Sequence, residues 1–430
     1  MAEQLEYVIS PWEVETCIEN LQTSDINDFG KKCWFEFHKK IMLLNQQSIL
    51  EINAMREETV KEWFITFKKI TVLIYEAIQI DIWKQKVFPI LIEINEEPTN
   101  TFLLYSIFYH ESLATSLLEN VLFHSNSADA IDDSALDLVD YAVNKVTTLF
   151  VSNDTDLQKN PNESNTCLEE LLKRKFELEF DIAMKCISIL RYLAEFLDNL
   201  PLCVLSRMLT THDVPYLLCK LIEKKPWKKE NENGESMIYN GKWEIINLND
   251  AERISKIEGQ AWIGLRELLL NPKCVPYYEI NDFRMSELFK LQKYLHEYIL
   301  DQISPLIDLR RWLMQLSLSA AATTDQKTIN IELMSQIRSS ILEKYHKKWK
   351  KLARSQSNYL FTENIQYIRH IAQILSEAYN LDKLDYLEMR KCFGCNEPAK
   401  KRCSKCKTAW YCSRECQVKD WINHKINCIQ

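Results

Sequence analysis

Glycine is scarce in this sequence. Only six glycines occur among 430 residues, whereas glycine makes up about 7% of an ordinary protein. The patterns G-x-G-x-x-G, G-x-x-x-x-G-K and G-x-S-x-G do not occur, so the sequence contains none of the glycine-dependent dinucleotide, phosphate or hydrolase motifs. Because tight turns depend on glycine, its scarcity also favours a helical protein.

Long apolar segments and a secretory signal are missing as well. The apolar runs fall far short of the ~18 residues that a membrane-spanning helix needs. Without a signal peptide we expect a cytoplasmic location, where cysteines stay reduced or bind metal. Seven cysteines are scattered over the first 391 residues at no fixed spacing, and most lie in apolar surroundings, where a free cysteine behaves as a small hydrophobe.

The last forty residues concentrate seven further cysteines and one histidine. These residues form four pairs in chain order: Cys392/Cys395, Cys403/Cys406, Cys412/Cys416 and His424/Cys428. Thiolate and imidazole are the ligands of tetrahedral zinc, and a C-x-x-C turn presents two sulfurs to one ion. The i,i+4 spacing of the last two pairs predicts that each pair lies on one face of a short helix. Eight ligands predict two closed, structural sites, because a catalytic zinc keeps one position for water or substrate.

Charge is divided unevenly between this segment and the rest. Residues 391–430 contain nine Lys+Arg and three Asp+Glu, a formal +6, and the remainder contains 44 and 58, a formal −14. Seven thiolates and two Zn²⁺ would bring the C-terminal segment to about +3. We therefore expect no nucleic-acid partner.

The pattern C-x2-C-x7-C-x2-C-x5-C-x3-C-x7-H-x3-C, with Trp410-Tyr411 before the fifth ligand, resembles the MYND zinc finger. The match covers every ligand. The resemblance implies cross-braced sites. One zinc would be bound by Cys392, Cys395, Cys412 and Cys416, and the other by Cys403, Cys406, His424 and Cys428. Spacing alone also permits sequential pairing.

Gln417, Asp420 and Trp421 follow the sixth ligand and extend this resemblance. In MYND fingers the positions that match Gln417 and Trp421 line a groove for short proline-rich peptides. An aromatic face accepts a polyproline II ligand with little loss of entropy, and a glutamine amide can hydrogen-bond its backbone. The alternative is that Trp421 packs the core of a domain that is short of apolar residues.

Residues 1–390 are predicted to form an all-α, multi-helical, armadillo-like scaffold, followed by the finger at 391–430. Ser10-Pro11-Trp12-Glu13 has the features of a helix start. Two adjacent apolar stripes between Phe176 and Leu200 predict a helix buried on two sides. Helices that begin near Asp213 and near Gln260 are similar to the last two helices of an armadillo repeat, although no period of ~40 residues recurs.

Three segments modify this helical pattern. Residues 152–166 are polar and are predicted to form a disordered loop. The insert 224–258 contains Asn240-Gly241 between apolar runs, which predicts a β-hairpin. An apolar stripe from Ile337 to Leu352 predicts one helix. Its basic residues between Lys344 and Arg354 are expected to form a solvated face, and the alternative is that they dock an acidic partner or a membrane surface.

Four upstream stretches resemble the family of MYND-finger proteins that act as axonemal dynein assembly factors. The stretches are Trp83–Pro89, Leu136–Tyr141, Leu205–Leu209 and Gly259–Trp262. The resemblance covers most of the chain. It implies a non-enzymatic cytoplasmic adaptor, enriched near the centrosome or basal bodies, for preassembly of inner and outer dynein arms in motile cilia. Chaperones, co-chaperones and other assembly factors would be its partners, and dynein subunits its clients.

Other function classes fit less well. Some MYND proteins are SET-type lysine methyltransferases, but their glycine-dependent catalytic segments are not found here. A run of basic residues in the finger could bind nucleic acid. Keeping the finger soluble is the simpler role for these charges. This run comprises Lys400, Lys401, Arg402, Lys405 and Lys407. A nuclear MYND-type corepressor adaptor is the main alternative function.

Overall fold

Regular structure upstream of the cysteine-rich segment is almost entirely helical. The computed structural model describes residues 7–151, 166–231, 234–246, 253–318 and 335–378 of this part. Within the finger it describes residues 392–395, 399, 401–403, 405–406 and 409–428. The predicted all-α scaffold followed by a small finger is confirmed. Among the described helices, none combines the length and apolar character that crossing a membrane requires.

The α-helices of the scaffold fall into two sets around residue 200. The first set is α1 (Pro11–Glu19), α2 (Lys32–Asn53), α3 (Thr59–Thr66), α4 (Ile70–Lys86), α5 (Phe88–Ile94), α6 (Phe102–Leu122), α7 (Ser125–Asp129), α8 (Ser134–Val151) and α9 (Cys167–Glu195). The second set is α10 (Leu202–Ser206), α11 (Val214–Lys224), α12 (Lys256–Leu270), α13 (Asp282–Lys290), α14 (Glu297–Gln302), α15 (Leu306–Leu318), α16 (Gln336–Lys344), α17 (Trp349–Leu360) and α18 (Ile365–Ser376). Short 3₁₀ turns lie at Ile26–Asp28, Leu197–Asn199 and Leu291–Tyr294, and a π-helical turn spans Arg207–Thr211.

Helix starts follow the local sequence signals. Helix α1 begins at Pro11, and the backbone N–H and hydroxyl of Ser10 both donate hydrogen bonds to the Glu13 carboxylate. Helix α9 begins with a capping box, in which Glu169 N–H donates to Thr166 Oγ1 and Thr166 N–H donates to the Glu169 carboxylate. These bonds satisfy backbone donors that the first turn of a helix leaves free.

Helix α9 lies at the centre of the scaffold. It packs against α6, α8 and α12, and both predicted apolar stripes are buried, as at Ile182, Cys186, Ile187 and Leu190. A helix with so wide an apolar surface needs neighbours on more than one side, and these three helices supply them. Helices α11 and α12, which the sequence likens to the last two helices of an armadillo repeat, also pack against each other.

The insert folds as a small antiparallel sheet. Its strands are β1 (Lys228–Glu230), β2 (Ser236–Tyr239) and β3 (Trp243–Ile245), in that order. The predicted hairpin corresponds to β2 and β3, with Tyr239 paired to Trp243 and Gly241 at a φ of 84°. Strand β1 was not predicted, because its residues are charged and lack the apolar alternation of a half-buried strand.

The predicted helix from Ile337 to Leu352 is two helices. Helix α16 ends at Lys344 and α17 begins at Trp349, with Lys347 between them at a φ of 60°. The apolar stripe is nevertheless buried through Ile341, Tyr345 and Leu352. The spacing of the buried apolar residues continues across the turn. The hydrophobic periodicity therefore could not show whether this segment is one helix or two. The basic side chains from Lys347 to Arg354 are exposed.

A cluster of opposite charges is buried inside the helical core. The cluster consists of Asp81, Lys84, Glu111, Lys145 and Glu179. Burial alone would lower the pKa of Lys145, but the carboxylates of Glu111 and Asp81 outweigh it and raise that pKa. The cluster joins α4, α6, α8 and α9, and nothing in the hydrophobic periodicity predicted it. The loop predicted at 152–166 lies outside the described residues except for Thr166, which is the N-cap residue of α9. Residues 379–390 of the predicted scaffold also lie outside the described residues.

Candidate metal centre

The finger consists of a two-stranded ribbon and one helix. Strands β4 (Lys401–Arg402) and β5 (Trp410–Tyr411) are antiparallel, and helix α19 spans Arg414–Asn427. Ser413 caps the helix by accepting a hydrogen bond from the Cys416 N–H at 3.2 Å. This arrangement corrects the expectation of two short helices. Cys412 precedes α19 and Cys428 is its C-cap residue, so only one helix contributes ligands to the last two pairs.

The structure brings the eight predicted ligands into two groups of four. The first group is Cys392, Cys395, Cys412 and Cys416, and the second is Cys403, Cys406, His424 and Cys428. Within each group the ligand atoms all lie within 4.8 Å of one another. The two groups interleave along the chain, which is the cross-braced grouping that the MYND resemblance implies.

Distances inside the first group fit a tetrahedral zinc ion. Cys412 Sγ lies 3.4 Å from both Cys395 Sγ and Cys416 Sγ, and the Cys395 and Cys416 sulfurs are 3.8 Å apart. Four sulfurs at ~2.3 Å from one zinc would be separated by about 3.8 Å. The closest sulfurs of the first site therefore need to move apart only slightly to bind the ion.

The second group has one nitrogen among its ligands. Cys403 Sγ lies 3.8 Å from Cys428 Sγ, and Cys406 Sγ lies 3.4 Å from His424 Nε2. A sulfur and a nitrogen on the same tetrahedral zinc would be separated by about 3.5 Å. Both groups thus fit Zn²⁺, and two zinc ions are the cofactors of the finger.

Backbone N–H groups in the C-x-x-C turns stabilise the thiolate form of the cysteines. The backbone N–H of Gly394 donates a hydrogen bond to Cys392 Sγ, with the nitrogen and sulfur 3.4 Å apart. In the second turn, a hydrogen bond from the Cys406 backbone lowers the pKa of the Cys403 thiol. Since thiolate is the form that binds zinc, these donors favour the metal-binding state of the ligands.

Gly394 has a second role that sequence reasoning missed. A Cβ at this position would lie 3.2 Å from the carbonyl oxygen of Cys416 and 3.3 Å from its Cβ. Cys416 is a ligand of the same site, so the turn and the helix approach too closely for a larger residue. In a chain with only six glycines, the position of one between paired cysteines was an available signal.

Tyr411 links the ribbon to the helix. Its ring is only 1% exposed, and its hydroxyl donates a 2.8 Å hydrogen bond to Asp420 Oδ2. The ring also lies edge-on to His424, with centroids 6.0 Å apart. Tyr411 and Asp420 therefore position the helix that presents His424 to the second zinc.

The proposed peptide-binding residues lie on α19, which also carries the exposed Val418. Gln417 is half-buried and Trp421 is 40% exposed. The exposed fractions are 65% for Phe393 and 66% for Val418. Trp421 contacts His424 at a ring distance of 6.0 Å, so one part of the indole packs on the finger while another part faces solvent.

Two side chains of the finger's basic run lie within the described part of the chain. Lys401 and Lys405 are exposed, whereas the side chains of Lys400, Arg402 and Lys407 lie outside the described residues. Neither described lysine is a metal ligand, and the exposure of both side chains agrees with a role in solubility.

Comparison with known proteins places these features in a family. Residues 392–428 match the MYND finger family. Over 449 residues the chain is 33% identical to the Zinc finger MYND domain-containing protein 10 homolog of Drosophila melanogaster, with 98% of this chain and 99% of the relative covered. No solved structure matches the chain.

Shorter similarities involve about a tenth of the chain. Ubiquitin carboxyl-terminal hydrolase 15 of Arabidopsis thaliana is 46% identical over 43 residues, covering 10% of this chain and 5% of that protein. Deformed epidermal autoregulatory factor 1 of Drosophila melanogaster is 41% identical over 46 residues, covering 11% and 8%. The similarity along nearly the whole chain, together with the cross-braced finger, establishes that this chain belongs to the zinc finger MYND domain-containing protein 10 family.

Proposed function

We propose that this chain is a non-enzymatic adaptor for cytoplasmic preassembly of inner and outer axonemal dynein arms, and thereby for the assembly of motile cilia. The proposal rests on the family membership and on the resemblance of the four helical stretches to dynein-arm assembly factors. Chaperones, co-chaperones and other assembly factors would be its partners, and dynein subunits its clients. Enrichment near the centrosome or basal bodies is part of the same proposal.

The observation that carries the adaptor role is the exposure of large apolar side chains on the finger. Phe393, Val418 and Trp421 are each at least 40% exposed on a module held by two metal sites. Exposed apolar side chains on a small rigid module favour binding of another protein. Four protein ligands complete each zinc site, and this supports a structural rather than catalytic use of the metal.

A short proline-rich peptide is the ligand that this surface suits. The exposed face of Trp421 offers an aromatic platform, and the Gln417 amide lies one turn earlier on the same helix. A polyproline II segment is already extended and loses little entropy on docking against an aromatic side chain. The finger would then recruit partners, while the scaffold provides further surfaces.

Co-purification followed by mass spectrometry tests the adaptor role in cells that are building motile cilia. The intact chain is compared with a chain that ends before Lys391 and with the Trp421→Ala variant. We expect dynein-arm subunits and chaperones on the intact chain, and loss of a subset from both altered chains. Imaging of the intact chain against a basal-body marker tests its location.

A different set of partners would refute the dynein proposal. Recovery of histones or chromatin complexes, with neither dynein subunits nor chaperones, would instead support the nuclear corepressor function. Equal partner recovery by the intact chain and the Trp421→Ala variant would remove the peptide groove from the proposal.

A further inference from the structure

A large cleft lies on the helical scaffold. It has a volume of about 1370 Å³ and is bounded by α6, by α9, by the C-terminal end of α11 and by the three-stranded sheet. None of its lining residues belongs to the finger. We call this feature the basic cleft, because eight cations and three carboxylates line it.

Several of these charges already neutralise each other. Arg174 pairs with Glu177 at 2.9 Å, and Lys185 pairs with Asp181 at 2.6 Å. The Tyr239 hydroxyl also donates a hydrogen bond to Asp181. Two of the three lining carboxylates are therefore occupied by their own neighbours, and an arriving ligand would meet mainly the remaining cations.

Three lysines have no such partner. Across the described parts of the chain, no carboxylate lies within 4.0 Å of the Nζ atoms of Lys173, Lys229 or Lys242. They come from separate elements, namely α9, β1 and the turn between β2 and β3. Their positive fields therefore converge on one cleft from different walls, which is an arrangement that attracts an anionic ligand.

An aromatic wall lies beside these lysines. The rings of Phe180 and Trp243 are stacked with centroids 5.5 Å apart, and Tyr239 contacts both rings edge-on. Lys229 Nζ lies 4.1 Å from the centroid of Trp243. The cleft therefore combines positive charge with apolar surface that can accept an aliphatic or aromatic side chain.

The charge of the whole chain indicates which anion is bound. The sequence has a formal net charge of −8 and a pI of about 5.7. A nucleic-acid-binding surface usually belongs to a strongly basic domain, because many phosphates must be neutralised. An acidic protein segment presents fewer charges per unit length and also carries side chains for the aromatic wall.

We propose that the basic cleft binds an acidic segment of a partner protein, with an apolar side chain of that segment against Phe180, Tyr239 and Trp243. This surface is separate from the zinc finger. The proposal goes beyond the adaptor function above and does not depend on the identity of the finger's ligand.

Fluorescence anisotropy with the full-length, zinc-loaded chain tests the cleft. The probe is a fluorescein-labelled synthetic peptide of Glu-Glu-Leu repeats, and the control probe carries Gln in place of every Glu. The test variant combines Lys173→Glu, Lys229→Glu and Lys242→Glu. The matched control variant combines Lys350→Glu, Lys351→Glu and Arg354→Glu, which make the same change of charge on exposed residues of α17.

We expect the cleft variant to bind the acidic peptide roughly tenfold or more weakly, because three attractive contacts become repulsive. The α17 variant should keep most of the affinity, and the Gln peptide should bind far more weakly than the Glu peptide. Circular dichroism should be unchanged in the cleft variant, and its thermal midpoint should fall by no more than a few degrees. Among the described residues these three lysines have no carboxylate partner to lose, and Lys229 loses its contact with the ring of Trp243.

Two results would overturn the proposal. The first is equal binding of the acidic peptide by the cleft variant and the α17 variant. The second is a single-stranded oligothymidine that binds the cleft more tightly than the acidic peptide does. Trp421→Ala should bind the acidic peptide like the unaltered chain, so failure of the finger proposal and failure of the cleft proposal give different results.

Discussion

Lys145 Nζ lies 2.7 Å from Glu111 Oε1, and the two side chains are only 6% and 0% exposed. Lys84 Nζ lies 2.6 Å from the other carboxylate oxygen of Glu111, and the Tyr141 hydroxyl donates to Oε1 at 2.8 Å. Lys84 and Tyr141 belong to two of the stretches that carry the family resemblance. The structure shows that these stretches meet at one buried carboxylate.

Removing one partner from this pair should destabilise the scaffold severely. In Lys145→Met, the carboxylates of Glu111 and Asp81 would stay buried without one of their cations. Breaking a buried ion pair in this way costs about 3–5 kcal/mol. Urea unfolding followed by circular dichroism should show this decrease in the free energy of unfolding.

Two control variants separate charge from packing. Lys350→Met changes an exposed lysine and should alter the free energy of unfolding by less than about 0.5 kcal/mol. Adding Glu111→Gln to Lys145→Met should restore part of the lost stability, because the uncompensated charge is removed. If the double variant loses as much free energy of unfolding as the two single variants lose together, the two residues are not energetically coupled.

Buried His38 should make stability depend on pH above the range where most carboxylates titrate. His38 Nδ1 lies 2.8 Å from His110 Nδ1, and His110 Nε2 lies 3.5 Å from Glu76. Burial, followed by the neighbouring His110, holds the pKa of His38 well below its usual value. The unfolded chain therefore binds more protons than the folded chain once the pH falls below about 6.5.

The stability contribution of uncharged His38 is present above about pH 6.5 and is lost as the pH falls. We expect the free energy of unfolding to decrease by about 1 kcal/mol between pH 6.5 and 5.5. His38→Gln should show a smaller decrease over that interval, whereas His370→Gln, at an exposed position on α18, should follow the unaltered chain. An unaltered chain with constant stability over the interval would contradict the prediction.

Replacing Gly394 should weaken one zinc site and leave the other intact. The new methyl group of Gly394→Ala would press on Cys416, which must shift by a few tenths of an ångström. Changes around metal ligands typically reduce affinity about 10–100-fold. Native mass spectrometry during a chelator titration should show loss of one zinc before the other. Gly259→Ala, where the nearest atom to a Cβ is 3.6 Å away, should release both ions like the unaltered chain.

The features that sequence analysis predicted are those encoded in local spacing. The two stripes of α9 and the start of α1 at Ser10-Pro11 depend on residues within a few turns of one another. The zinc ligands also occur as closely spaced pairs within one short segment, and their grouping came from the family resemblance. Local patterns of this kind persist in the fold because they determine which face of an element is buried.

The features that were missed depend on residues far apart in the chain. Lys145 and Glu111 are polar residues within apolar patterns. Only the packing of α6 and α8 against the same helices, α4 and α9, shows that these two side chains neutralise each other. The turn between α16 and α17 leaves the stripe through Tyr345 buried, so it leaves no trace in the periodicity. Lys173, Lys229 and Lys242 of the basic cleft, which have no carboxylate partner among the described residues, lie on three separate elements. Their proximity is a property of tertiary structure.

Trp421→Ala tests whether the finger's aromatic surface is used for binding or for folding. The indole is 40% exposed, and its described ring contact is with His424. Since it lies outside the buried core around Tyr411, its removal should leave two zinc ions per chain and a thermal midpoint within a few degrees of the original. Binding of a labelled proline-rich peptide should fall about tenfold or more, as for loss of an aromatic anchor. Val418→Ala, on the neighbouring exposed residue, should have a smaller effect. Loss of zinc or of folded structure in Trp421→Ala would instead show that the indole is needed to hold the finger together.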